Sequence, residues 1–409
     1  MHAEQVEQKN FRHLVLDIFW FGLALPATSR FLAVYAIRVD ASPQEIGWLS
    51  AMPSLVLFFA AMFSTWWRHR FPSADRAVLW PGFGFRFSFL LPAFTPLFPR
   101  EFQPLWLIFS IALPAFPQGI SSVMFLAMLR EAISTERMTQ LISKRHLVMN
   151  MALGVSTLAM GFWLTSIAFP LNYQMMFVSA FALTMISQWH VSRTRSVFVE
   201  QLQPRRERSG ARPWQDKRFQ QVIAIAFVSH FAFFSVFPLI PVYLVDIMNA
   251  DEQFMSFFIL GELVGGMTVA SVLPRITKRI GHRPLIAPAM VGTALSTLLI
   301  ALAPQLWITL FGALLNGASW STVGIALFGF FTENTPNDQV TPYTLLYNQI
   351  IFVAMFIAPL VGTNLTSSLS MVSILVGGAF LRLLAAAYIQ YQPLRYYLPK
   401  RRRGLYLKL

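Results

Sequence analysis

The side chains best equipped for chemistry are a few ionisable groups set inside long apolar runs. Glu262 stands among Gly261, Gly265 and Gly266, Asp17 follows Leu16, and Arg30, Arg86, Arg382 and His230 are equally surrounded by apolar neighbours. A charge at mid-helix in a lipid-crossing segment costs about 2.5–3.5 kcal/mol on insertion scales, so such residues by default mark function. A carboxyl group with little water around it binds its proton more tightly, which suits Glu262 to proton exchange. An interhelical hydrogen bond that fixes packing is the competing use, and the glycines beside it permit that close approach. Asp17, about two turns into its run, is the second candidate proton carrier, or a packing or gate residue close enough to one surface to stay hydrated.

The basic residues read differently. Arg30 follows Asp17 by thirteen positions, which at about 100° per residue puts it on another face unless Pro26 kinks the helix. It is therefore expected to snorkel to lipid headgroups, with an anionic solute group as the alternative partner. Arg86, after Gly82 and Gly84, and Arg382 need a carboxylate, a carbonyl or water, and are expected to make structural contacts, Arg86 close to a gate. His230, among Phe231, Phe233, Phe234 and Phe237, could titrate near neutral pH or simply hydrogen-bond to a neighbouring helix. Neutral polar residues at the centres of apolar runs, among them Gln118, Asn150, Asn316, Tyr347 and Asn348, suit either a solute cavity or helix stitching. No phosphate-cradling Gly-Lys-Ser/Thr loop, His-Glu-x-x-His pair or nucleophile constellation stands in the runs, and there are no cysteines. An enzyme, a metal site and a bound cofactor are not expected.

The elements that must position these groups follow from composition. The chain has 409 residues, 56% hydrophobic and only 12% charged, too apolar for a soluble core. With about 20 apolar residues per crossing, the length accommodates roughly twelve helices and little else. They are expected at Phe11–Ile37, Ile46–Trp67, Val78–Phe98, Pro104–Leu129, Leu147–Phe169 and Tyr173–Trp189. Six more follow at Phe219–Met248, Phe254–Leu273, Leu285–Ala303, Leu306–Phe331, Tyr343–Leu365 and Met371–Tyr391. The first is too long for a signal peptide.

A net charge of +14 would suggest nucleic acid in a soluble chain, but here its distribution reports topology. Basic residues gather after the second, fourth, sixth and eighth runs and in the tail, which includes Arg395, Lys400 and Arg401, whereas the odd connections hold only Arg38 and Arg100. This predicts a multi-pass protein of the cell membrane with both termini in the cytoplasm and no nucleic-acid partner. The expected division is a six-helix bundle over 1–190, a basic linker over 191–218, a second bundle over 219–392 and a basic tail over 393–409. Within the linker Val197, Phe198 and Leu202 lie among arginines, a pattern compatible with a helix lying on anionic headgroups or with a solvated connector.

Two bundles around a basic loop, together with several short motifs, resemble the major facilitator superfamily. The stretch from Pro274 to Arg283 is similar to that family's Gly-x-x-x-Asp-Arg-x-Gly-Arg-Arg gate loop: Arg279, Gly281 and Arg283 match, while Pro274 and Lys278 replace the usual Gly and Asp. Gln118-Gly119 resembles the end of its fourth-span motif, with Ala115 in place of Arg. Leu16-Asp17 with Ala24-Leu25-Pro26 resembles the first-span pattern of drug:proton antiporters, and Ala358-Pro359-Leu360-Val361-Gly362 resembles a helix-packing motif. The resemblance implies an all-α fold of twelve membrane helices in two pseudo-symmetric six-helix bundles, working as a monomer by alternating access. It implies a cavity lined by the first, fourth, seventh and tenth spans, with Gln118, His230, Asn316 and Trp320 as candidate solute contacts beside Tyr347 and Asn348. It implies gate roles for Arg279, Gly281 and Arg283, protons as the coupling ion, and a small organic, amphiphilic solute. Export is favoured, with proton-coupled uptake, a non-transporting receptor or scaffold, and a lipid flippase as alternatives.

Overall fold

In lipid every backbone N–H and C=O must find a partner within its own segment, which a helix provides. The computed structural model describes residues 2–198, 212–336 and 339–391, and helices carry almost all of them, with no strand among the described residues. Among the described residues, ten segments are long and apolar enough to cross a membrane. The first expected span is present too, but it is broken into His2–Ala24, Pro26–Ser29 and Phe31–Arg38. The sixth, Leu171–Ser192, is one continuous helix whose apolar character is diluted by Gln174, Gln188 and His190. We number the segments as spans 1 to 12. Span 2 is Pro43–Arg68, span 4 Gln103–Ala132 and span 5 Thr135–Ser166. Span 8 is Glu252–Ile280, span 9 Ile286–Ala301, span 10 Thr309–Glu333, span 11 Val340–Asn364 and span 12 Met371–Tyr391.

Three spans are interrupted, span 7 at the place where its prolines predict a broken ladder. In span 1, Pro26 and then Arg30, at φ −129° and ψ −49°, interrupt the ladder. Span 7, Lys217–Ile247, is helical to Phe234, loses its regularity around Pro238 and ends in a π-helical turn over Tyr243–Ile247. Span 3 runs within Ala74–Leu97 and passes from an α-helix, Leu79–Phe85, into 3-10 turns over Arg86–Phe89 and Leu91–Leu97. Prolines 26, 92, 96, 238 and 241 each remove a backbone donor at these places. Spans 5 and 8 also run further than their apolar cores, carrying Arg137, Lys144 and Arg145, and Arg275, Lys278 and Arg279, within helix. Hydropathy marks where a helix meets lipid; the hydrogen-bond ladder continues past it.

The packing shows the two-fold repeat. Within the first six spans, 1 packs on 5 and 6, 2 on 4, and 3 on 4 and 6. Within the last six, the equivalent pairs recur: 7 on 11 and 12, 8 on 10, and 9 on 10 and 12. The halves meet through spans 2 and 11 and spans 5 and 8, pairs that the same symmetry exchanges. Small residues allow the approach, with Gly47 against Thr363 and Gly161 against Ser256.

We call the end that bears the N-terminus and the even-numbered connections the basic end, and the opposite one the far end. Towards the basic end, Leu147, Met151 and Val155 on span 5 and Val264, Met267, Val272 and Ile280 on span 8 are exposed. After span 6 the chain leaves the helix, and the N–H groups of Val197 and Phe198 both donate to the Glu131 carbonyl at the end of span 4, at 2.8 Å. A surface helix therefore does not include these two residues. Leu202 and the rest of the linker over 199–211 lie outside the described residues, as does the tail with Arg395, Lys400 and Arg401.

Candidate functional site

Between the halves, from mid-membrane towards the far end, lies a cavity of about 230 Å³. Span 1 contributes Thr28, Ser29 and Arg30, span 2 Leu49, Ser50 and Pro53, span 7 Phe237, Ile240 and Pro241, and span 8 Met255, Phe258, Ile259 and Glu262. The breaks in spans 1 and 7 both fall on this wall, so backbone that has lost its helical partners borders a cavity and not lipid, where it would be costly.

Arg30 and Glu262 are its charged lining residues, and they pair across the halves: Arg30 Nη1 donates to Glu262 Oε2 at 3.0 Å. The second carboxylate oxygen accepts from Asn316 Nδ2 of span 10 at 2.7 Å. Arg30 thus does not snorkel. The break at Pro26 and Arg30 re-aims its side chain inward, where the buried acid offers more than a distant headgroup. Glycines set the depth of the acid. A Cβ on Gly317 would lie 1.8 Å from the Glu262 carbonyl oxygen, and one on Gly265 2.0 Å from that of Leu314, so spans 8 and 10 touch backbone to backbone. Glu262 retains little exposure, 11% of its side chain against 25% for Arg30.

A second tie closes the far end. Arg38, the last residue of span 1, forms a two-bond pair with Glu252 at the start of span 8, at 2.8 and 3.1 Å. The Tyr173 hydroxyl of span 6 donates to the same carboxylate at 3.0 Å, and the Tyr173 ring stacks on Tyr35 with centroids 4.5 Å apart. Gln44 of span 2 and Thr366, in the turn that follows span 11, add a further hydrogen bond between the halves. These ties place the halves in contact from mid-membrane to the far end.

Asp17 belongs to another network, entirely in the first half. It is buried, not hydrated: Arg145 donates to its Oδ2 at 3.0 Å and Ser187 Oγ to its Oδ1 at 2.7 Å. Arg86 Nη2 donates to the same Ser187 at 2.9 Å, while its Nε meets the Thr184 carbonyl at 2.7 Å. Arg145 of span 5 and Ser187 of span 6 thus engage both oxygens of the acid. In the second half Arg382 of span 12 stitches spans 7 and 9: it is wholly buried and donates to the carbonyls of Ala232, Phe233 and Thr293 and to the Thr297 hydroxyl, with its guanidinium over the Phe233 ring.

The remaining sequence candidates divide. His230 shares a hydrogen bond with the Ala226 carbonyl at 2.8 Å and meets Trp320 edge-on, and Trp320 stacks on Phe233 at 3.7 Å. This aromatic cluster reaches the cavity through Phe237. Tyr347 is buried against Phe331, whereas Gln118 and Asn348 are exposed and do not line the cavity. In the gate loop Gly281 ends span 8 at φ +82°, a conformation that favours glycine, and Arg279 is exposed. Arg283 is buried and donates to the Ile389 carbonyl of span 12 at 2.9 Å, which ties the loop to its own half.

The sequence singled out Glu262, Asn316 and Asp17 as candidates but not the Arg145 and Ser187 that pair with Asp17, nor the separate far-end trio of Arg38, Tyr173 and Glu252. Arg38 carried a signal, as one of two basic residues on the otherwise uncharged odd connections.

Similarity to known proteins agrees with the geometry. Residues 15–359 match the Major Facilitator Superfamily. A class H tetracycline resistance protein of Pasteurella multocida is 25% identical over 129 residues, a segment that spans 31% of this chain and 32% of that protein. The fold is similar to that of an auto-inhibited peptide transporter of the POT family, with a TM-score of 0.73 at 11% identity over 95% of this chain and 98% of that one. It is also similar to the xylose transporter XylE from E. coli in a partially occluded inward-open conformation, with a TM-score of 0.70 at 10% identity over 97% and 98%. The chain is a multi-pass membrane protein that belongs to the Major Facilitator Superfamily.

Proposed function

We propose that this protein is a secondary active transporter of the cell membrane, working as a monomer with both termini cytoplasmic. It carries a small amphiphilic organic solute through the cavity between its halves, with Glu262 as the site of the coupling proton. The observation that carries this reading is the Arg30–Glu262 pair across the halves, at the wall of a largely apolar cavity. Protonation of Glu262 removes the partner of Arg30 and so weakens one tie between the halves, which couples proton occupancy to their relative position. Breakage of the Arg38–Glu252 tie then opens the far end. With the basic loops read as cytoplasmic, and the ties between the halves lying towards the far end, the arrangement is on this reading inward-facing.

In reconstituted vesicles, solute movement driven by a pH gradient should vanish in Glu262→Gln, while solute exchange across the membrane at equal pH persists. Retention of pH-driven accumulation by that variant would remove Glu262 from the mechanism. Export by proton exchange is a second reading, favoured by the Leu16-Asp17 and Ala24-Leu25-Pro26 fragment and by the likeness to a tetracycline resistance protein. It requires solute and proton to exclude one another, whereas uptake requires them to load together, and the sign of the proton flux that accompanies solute entry separates the two.

A further inference from the structure

The charge of the cavity constrains what can enter it. Its walls hold one cation, Arg30, and one anion, Glu262, and these neutralise each other. Of the titratable groups on the packed spans, His230 turns to the Ala226 carbonyl, Asp17 pairs with Arg145 and Glu252 with Arg38, while Asp246 is exposed and does not line the cavity. The remaining walls are apolar or hydroxylic, so a ligand that leaves a net charge in the cavity leaves it with no further counter-ion, a costly state in a low-dielectric interior.

A solute cation competing for Glu262 would leave two positive charges beside one negative. A solute anion on Arg30 with Glu262 still ionised would leave the reverse. An anion that arrives with a proton on Glu262 restores zero, because the protonated acid is neutral and Arg30 exchanges one negative partner for another. Accessibility points the same way. Arg30 spends one N–H on Glu262, no acceptor among the described residues meets its Nε or Nη2, and its side chain is the more exposed of the two. Both oxygens of Glu262 already accept hydrogen bonds.

We infer that the solute is an organic anion with an apolar body, held by Arg30, and that it loads together with the proton taken up by Glu262. The apolar body packs against Phe237, Ile240, Phe258 and Ile259. By linkage, the anion raises the proton affinity of Glu262 by the same factor as the proton raises the anion's affinity. Proton and solute then move in one direction, and an inward proton gradient drives uptake. This inference rests on the reading of the cavity as the transport site.

The test uses purified protein with matched amphiphiles that share a phenyl, naphthyl or octyl body and end in a carboxylate, an ammonium, a zwitterionic or a neutral group. Thermal stabilisation reports binding, and a pH-indicator dye reports protons taken up or released. We expect carboxylates to stabilise the protein with close to one proton taken up per anion. Glu262→Gln should still bind them, without proton uptake and without pH dependence. Arg30→Gln should lose about ten- to a hundredfold in affinity, the range of a lost charge-assisted hydrogen bond, with partial recovery in Arg30→Lys. Stabilisation by ammonium compounds with proton release, or by zwitterions with no proton change, overturns the anion assignment and leaves the transporter reading standing. If no class stabilises the protein and none crosses reconstituted vesicles, both fall.

Discussion

At the scale of single residues, burial decided most of what the sequence could announce. Glu262 was legible because an acid flanked by glycines in an apolar run has few explanations. Its partner was not, since Arg30 lies 232 residues away and a straight-helix projection sends it elsewhere. Asp17 was misjudged for a related reason: depth along its own helix suggested water, but Arg145 from span 5 and Ser187 from span 6 supply its contacts. Arg382 tests whether a buried cation is held by geometry or by charge. Its planar fork satisfies several acceptors at once, which a lysine cannot reproduce while still burying a charge. Arg382→Lys should therefore destabilise the protein by roughly 2–3 kcal/mol and more than Arg382→Met, which removes the charge along with the donors. Thermal unfolding in detergent ranks the two, and the opposite order would show that the charge is what the site requires.

At the scale of elements, the helical spans and their basic connections were legible in composition, because hydropathy and charge report the lipid boundary directly. The break in span 7 was legible from Pro238 and Pro241, but the irregular turns in spans 1 and 3 were less so: proline marked where donors were missing, not whether a helix would kink, tighten or resume, and Pro114, Pro117, Pro274 and Pro359 all sit inside continuous helices. Glycine is better defined once the neighbours are known. On span 10, a Cβ at Gly317 meets the Glu262 carbonyl at 1.8 Å, while at Gly324 it meets nothing within 4 Å. Gly317→Ala should force spans 8 and 10 apart at a cost of about 3 kcal/mol or more, and should also displace Glu262 from Arg30 and so impair coupling. Gly324→Ala, in the same helix, should be neutral or stabilise by up to about 1 kcal/mol through helix propensity. The pair of melting temperatures distinguishes a close helix contact from a general intolerance of substitution in span 10.

At the scale of the whole molecule, the polar ties between the halves run from the centre to the far end, so under alternating access exchange of the open side requires the far-end ties to break. Glu252 is the control point, since this one residue of the second half accepts from both Arg38 and Tyr173 of the first. Arg38 is 39% exposed, and with that discount the tie is worth about 1–2 kcal/mol, enough to change the ratio of two conformations about 5- to 30-fold. Glu252→Gln should move the population by that amount towards a state open at the far end. The chain has no cysteines, so spin labels can be introduced without background, at exposed Leu97 and Leu369 to span the far end and at exposed Ile142 and Ile280 to span the basic end. If the halves rock as rigid bodies about the contacts between spans 2 and 11 and spans 5 and 8, the variant should lengthen the first distance and shorten the second, in matching proportions of the population. Lengthening of the far-end distance with the basic-end distance unchanged would mean that Glu252 secures only a local gate, and that opening of one side does not oblige the other to close.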